Sequence, residues 1–171
     1  MSDAPKPAAP FARLDAEALY LKLVDGVRDL LKRDAVLVGI WSGGAWLVER
    51  LQRDLELAGE PGVISSAFHR DDFARRGLAG TDPTRLPFEI EGRHIVLVDD
   101  VLFTGRTIRA VVNELYDFGR PSSVSLAVLV ERDGRELPIA AAFAATRIEL
   151  PAAERISLAR DEAGRLRFET K

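Results

Sequence analysis

The chain contains no cysteine, so neither a disulfide nor a thiolate metal site is open to it. No apolar run approaches the length of a membrane span, and the N-terminus lacks the hydrophobic core of a signal peptide, so a cytoplasmic protein is expected. A basic surplus is missing too: the net charge is −3, with 24 Lys and Arg against 27 Asp and Glu, unlike most dedicated RNA binders. Histidine is scarce. His94 falls at the amino end of a predicted strand and reads as structural, and His69 lies beside a long polar loop, so no side chain stands out as a general base. No internal repeat or linker interrupts the 171 residues, and 47% apolar with 30% charged residues is a globular balance, so a single domain over residues 1–171 is expected.

What the chain does have is concentrated between His94 and Thr107, HIVLVDDVLFTGRT. Ile95 to Val98 form an unbroken aliphatic run, suited to a central parallel strand covered on both faces. The run is expected to stop on Asp99 and Asp100, where a solvated loop should begin. Thr104, Gly105, Arg106 and Thr107 then open a helix in which Ile108, Val111, Val112, Leu115 and Phe118 recur at helical spacing, with Gly119 as its stop. A helix N-terminus attracts phosphate through its unpaired N–H groups, a glycine permits close approach, and threonine hydroxyls add donors. Two carboxylates one turn upstream would repel phosphate; they suit ribose hydroxyls, or water on a divalent cation. The pattern asks for a ligand with a phosphate at one end and a diol beside it. An acidic pair alone would read equally well as solvated strand-end residues, but not at this spacing from Thr-Gly-Arg-Thr and a helix.

The rest of the chain supplies a frame. Residues 1–12 read as a mobile tail. An amphipathic helix over Leu14 to Arg33 carries Leu19, Leu23, Val27, Leu30 and Leu31, with Asp15 as its cap. Ala35 to Ile40 is a second buried strand, running through Trp41, Ser42, Gly43 and Gly44 into a helix with Leu47, Val48, Leu51 and Leu55 on one side. Those glycines fit a tight strand–helix turn as well as an anion loop. Gly62 to His69 reads as a strand, and residues 70–89 as a long polar loop. Val124 to Val130 is another buried strand; Ile139 to Phe143 is strand-like, and Ile156–Ala159 with Leu166–Glu169 form a last hairpin. Alternating strands and helices imply a parallel sheet with right-handed crossovers and a ligand at the strands' carboxyl ends.

The central stretch resembles the phosphoribosyl-diphosphate-binding motif of type I phosphoribosyltransferases. Gly119-Arg120-Pro121-Ser122-Ser123, Leu126 to Val130 and Arg135-Glu136-Leu137-Pro138-Ile139 resemble the PyrR branch, pyrimidine-operon attenuators with uracil phosphoribosyltransferase activity. The resemblance implies an α/β fold with a central mainly parallel sheet flanked by helices, a small hood and a flexible flap over residues 70–89. It implies displacement of pyrophosphate from phosphoribosyl diphosphate by uracil to give UMP, with Mg2+ bound mainly through the substrate. It makes Asp99, Asp100 and Arg70 the catalytic candidates, although Arg70 fits a surface salt bridge with Asp71 or Asp72 as well. Phe103, Thr104, Gly105, Arg106 and Thr107 become the 5′-phosphate turn, Trp41 to Gly44 the pyrophosphate loop, and Glu131 and Arg132 the base hood. Similar proteins commonly carry Lys-Thr-Arg-Gly at that loop; Trp41-Ser42-Gly43-Gly44 lacks both positive charges and leaves the diphosphate to backbone amides.

Relatives of this kind are dimers or larger and use a basic face, partly on the N-terminal helix, to hold an RNA hairpin. Here that helix has Leu19, Tyr20 and Leu21 near where arginines often sit, with Asp25 and Asp29 further along. Arg132, Arg135 and Arg147 could supply part of a patch, so weak or absent RNA control is expected. The alternatives are a type I enzyme for another base, a UMP-sensing RNA regulator with little catalysis, and an interaction protein reusing the fold. The Arg-Glu-Leu-Pro-Ile stretch favours uracil over the first, and the intact acidic pair and phosphate turn argue against the last.

Overall fold

A computed structural model describes residues 14–32, 34–65 and 84–170. The expected tail and the residues His69, Arg70, Asp71 and Asp72 lie outside these. The described elements run α1 (Ala16–Leu30), β1 (Ala35–Ile40), α2 (Gly43–Asp54), β2 (Gly62–Ile64), β3 (His94–Leu102), α3 (Arg106–Phe118), β4 (Ser123–Arg132), β5 (Phe143–Ile148), β6 (Ile156–Arg160) and β7 (Leu166–Thr170). β1 to β5 form one sheet in the order β2-β1-β3-β4-β5, every pairing parallel. β6 and β7 make a separate antiparallel hairpin. No helix among the described residues is long and apolar enough to cross a membrane.

The sheet is parallel because its strands are aliphatic on both faces and each face is covered. On one side Val96 and Val98 pack with Leu23 and Val27 of α1, Leu47 and Leu51 of α2, and Leu158 and Leu166 of the hairpin. On the other, Ile95 and Leu97 pack with Ile108, Val111 and Leu115 of α3 and with Ile90. Fully burying a side chain of this size contributes roughly 1.5–3 kcal/mol, so the two layers hold β3 fixed at the centre.

α1 begins as expected: the Asp15 carboxylate accepts the N–H groups of Glu17 and Ala18 at 3.0 and 3.1 Å. Tyr20 is fully buried and donates to Asp54 on α2 at 2.7 Å, while the Arg50 guanidinium lies 4.0 Å from its ring centre. Leu19 is buried as well, so neither residue belongs to an outer face. His94 stands at the amino end of β3, hydrogen-bonded to the Ser123 hydroxyl at 2.8 Å and remote from the carboxyl ends, as its position in the sequence implied.

Several expectations are corrected. β3 does not stop at the acidic pair; it continues to Leu102, because Asp99, Val101 and Leu102 keep their register with Val128, Val130 and Glu131 of β4. The fifth strand is Phe143–Ile148 rather than Ile139 to Phe143, since Arg135 holds the Ile139 carbonyl in a loop and pairing with β4 starts at Phe143. Phe118 is 54% exposed, because α3 turns it away from the sheet in its last turn. Residues 84–89 are anchored rather than free. Arg85 exchanges both backbone hydrogen bonds with Val63 at 2.8 Å, Thr84 donates to Glu114 at 2.6 Å, and Leu86 and Phe88 pack on the α3 side of the core. The hairpin lies against α1 and α2: the Leu166 N–H reaches Glu17 at 2.8 Å and Arg160 pairs with Glu49 at 3.3 Å.

Candidate active site at the carboxyl end of the parallel sheet

β3 delivers Asp99 and Asp100 to the end of the sheet, and because successive side chains on a strand point to opposite faces the two are divided. Asp100 faces α2 and the hairpin. Its Oδ1 accepts the Val101 N–H at 3.0 Å, and its Oδ2 accepts the Leu158 N–H at 2.9 Å. Its carboxylate also fills the space beside Gly43, where an added Cβ would lie 2.7 Å from Cγ. Asp99 is 8% exposed and its Oδ1 accepts the Asp100 N–H at 2.9 Å. A strand-end carboxylate so placed can accept a ligand's hydroxyl protons.

Trp41 to Gly44 join β1 to α2 in a turn pressed against the end of β3. The Trp41–Ser42 peptide is cis, and the Trp41 N–H donates to the Ile64 carbonyl at 2.9 Å. Ser42 precedes the helix without a side-chain cap. A Cβ on Gly44 would sit 2.3 Å from the Val98 carbonyl oxygen. Both glycines are buried, so close packing of α2 onto β3 requires them whatever the loop binds. The tight-turn reading of this stretch therefore holds, and it does not displace the anion-loop reading.

Past Leu102 the chain turns through Phe103, Thr104 and Gly105 into α3. Gly105 has φ +92°, a left-handed conformation that only glycine adopts cheaply, and a Cβ there would lie 3.1 Å from Ile139. The Thr104 hydroxyl accepts the Arg106 N–H at 3.2 Å, and no side chain caps the helix at Gly105. An uncapped helix start with aligned N–H groups can hold a phosphate.

Residues 131–139 brace this turn from behind. The Thr104 carbonyl accepts the N–H groups of Glu136 and Leu137 at 3.0 and 3.2 Å, and Arg106 pairs with Glu136 at 2.7 Å. Arg135, which the sequence marks as part of a resembling stretch and of a possible basic patch, is the hub: its guanidinium donates to the carbonyls of Phe103 and Ile139 and to Glu131. Arg147 reaches the other Glu131 oxygen at 2.9 Å. Arg132 is 3% exposed, stacks 3.9 Å from the Phe103 ring centre and donates to the carbonyls of Leu150, Pro151 and Glu154. Glu131 and Arg132 thus sit beside the turn from Phe103 to Gly105, with their side chains engaged inside the protein. Among the described residues no three His, Cys, Asp or Glu side chains form a metal cage.

With this geometry in place, comparison with known proteins places the chain. The phosphoribosyl transferase domain family matches residues 16–153. A protein of Ralstonia nicotianae named bifunctional protein PyrR is 52% identical over 157 residues, covering 89% of this chain and 90% of that one. Its namesake from Nitrosococcus oceani is 45% identical over 152 residues, covering 85% and 86%. The chain belongs to the PyrR family of phosphoribosyltransferases. Among solved structures, hypoxanthine phosphoribosyltransferase of Staphylococcus aureus superposes with a TM-score of 0.62 at 19% identity, covering 84% of this PyrR-family chain and 78% of its own. Hypoxanthine-guanine phosphoribosyltransferase of Bacillus anthracis gives 0.62 at 18% identity, covering 84% of each. At that identity the likeness speaks for the fold and not for the base.

Proposed function

We propose that the protein is a uracil phosphoribosyltransferase, transferring phosphoribosyl from phosphoribosyl diphosphate to uracil with release of pyrophosphate, within a pyrimidine-responsive regulatory role. The observation that carries the reading is the passage of β3, just past its two carboxylates, into an uncapped, glycine-started helix braced by the 131–139 segment. Similarity to a PyrR protein over nine-tenths of its length supports the base assignment.

In this reading the N–H groups at the start of α3, with Thr104 and Thr107, hold the 5′-phosphate. Asp99 accepts a ribose hydroxyl. Trp41 to Gly44 hold the diphosphate through main-chain groups. Phe103, Glu131, Arg132 and Arg135 shape the wall against which the base lies. The C1–oxygen bond to the diphosphate breaks with its electrons leaving on oxygen, a ring nitrogen of uracil bonds to C1, and that nitrogen's proton leaves to solvent. Catalysis is mainly positioning, with the chain's amides meeting charge that grows on the leaving group. The donor set, an acidic pair near the end of β3 with no three-ligand cage among the described residues, fits Mg2+ held chiefly by its substrate near Asp99 and Asp100. When bound, the ion supplies charge neutralisation at the diphosphate. Flap closure and Arg70 belong to the same proposal, as do a homodimeric or larger assembly and a cytoplasmic location.

RNA control is weak in this reading. α1 buries Leu19 and Tyr20, and Arg132 and Arg135 spend their donors internally. Gel-shift titration with a pyrimidine-operon leader should show no tight, salt-dependent complex; nanomolar binding would overturn that part. The enzymatic part is tested by chromatography of a mixture of protein, phosphoribosyl diphosphate, Mg2+ and uracil. UMP and pyrophosphate in equal amounts support it; neither product at micromolar enzyme overturns it.

A further inference from the structure

On the α1 and α2 side of the molecule, a groove of about 620 Å³ runs between α2 and the β6–β7 hairpin. It shares no residue with the acidic strand end or the phosphate turn. Arg50, Arg53, Arg160 and Arg165 line it, against Glu17 and Glu49. Four cations over two anions is a local excess of positive charge in a chain whose net charge is −3. Two of the arginines are set by ion pairs, Arg50 with Glu17 at 2.7 Å and Arg160 with Glu49 at 3.3 Å. The guanidinium groups of Arg53 and Arg165 have no carboxylate partner among the described residues, although both residues line the same concavity. Trp46 forms one wall, with the Arg160 guanidinium 5.1 Å from its ring centre.

We propose that this groove binds a polyphosphate anion, as presented by a nucleoside triphosphate, at a site separate from the reaction centre. The basic groups are all arginine, whose planar fork matches phosphate oxygens two at a time. Gathering like charges costs energy that an anion between them recovers. The volume lies in the range of small-ligand sites and is far more than one inorganic phosphate fills. Trp46 offers an aromatic edge to a base.

The chain has two tryptophans, so Trp41→Phe leaves Trp46 as the sole reporter of the groove. Its fluorescence is titrated with ATP, with inorganic triphosphate and with a short single-stranded RNA. A saturable change with ATP is expected, and Arg53→Gln with Arg165→Gln should weaken it roughly tenfold or more, as loss of charge-assisted phosphate contacts does. An equal response to triphosphate supports a site that reads phosphate alone; a response to ATP only supports one that reads the base as well. In the otherwise unaltered protein, the paired arginine substitutions should leave turnover unchanged, since neither residue borders the reaction centre. No saturable change, a change the substitutions do not weaken, or saturation by RNA alone overturns the proposal. Because the readout is binding at Trp46, it stands or falls independently of uracil transfer.

Discussion

The Asp100 carboxylate accepts the Leu158 N–H at 2.9 Å, tying the end of the central strand to the C-terminal hairpin. Its other oxygen is taken by the Val101 N–H. Both oxygens thus face backbone donors, and an amide would turn its NH2 toward one of them. Asp100→Asn is expected to cost about 1–3 kcal/mol and to raise hydrogen exchange at the amides of Ile156 to Arg160. Unchanged exchange there would mean the bond contributes nothing.

Asp99 is the cleaner probe of chemistry. An asparagine keeps an oxygen for the Asp100 N–H, so Asp99→Asn should still fold while lowering kcat by roughly tenfold or more, the loss of about 1.4 kcal/mol at the transition state. Substituting both aspartates together would confuse the two effects.

Gly44→Ala tests whether the loop glycine serves packing. The new Cβ would meet the Val98 carbonyl at 2.3 Å, backbone against backbone, so a loss of about 1–3 kcal/mol is expected. For a chain of this size that lowers Tm by roughly 2–4 °C for each kcal/mol. An unaltered Tm would show that α2 can shift away from β3.

Burial, and then the bond to Asp54, raise the Tyr20 pKa well above the usual phenol value. A group with a raised folded-state pKa contributes stability that is complete below its unfolded pKa, near ~10, and lost as pH climbs past it. Tyr20→Phe should cost about 1 kcal/mol at pH 7 and flatten the loss of stability above pH ~10 in urea titrations. Parallel alkaline slopes in the two proteins would contradict the assignment.

The sequence made the scaffold readable wherever a residue's role is set by its neighbours in the chain. Ile95 to Val98 could only be a buried strand, Asp15 could be seen to cap α1, and Thr104 to Thr107 could be seen to open α3. It misled where distant partners decide. β3 continues through the acidic pair because β4 pairs with it, and Phe118 follows the apolar period yet points outward because nothing packs there. In the candidate site, the acidic pair followed by a glycine-started helix was legible as a motif. The hub role of Arg135 was not, since it rests on carbonyls of Phe103 and Ile139 and on a Glu131 brought near only by the fold.

The central claim is uracil as the base, where the structural neighbours are named for the purines hypoxanthine and guanine. Steady-state turnover with phosphoribosyl diphosphate and Mg2+, using uracil, orotate, hypoxanthine, guanine and adenine in turn, measures kcat/KM for each. Uracil is expected to exceed every other base by a hundredfold or more, roughly 2.7 kcal/mol of discrimination. A purine turned over faster than uracil would contradict the account.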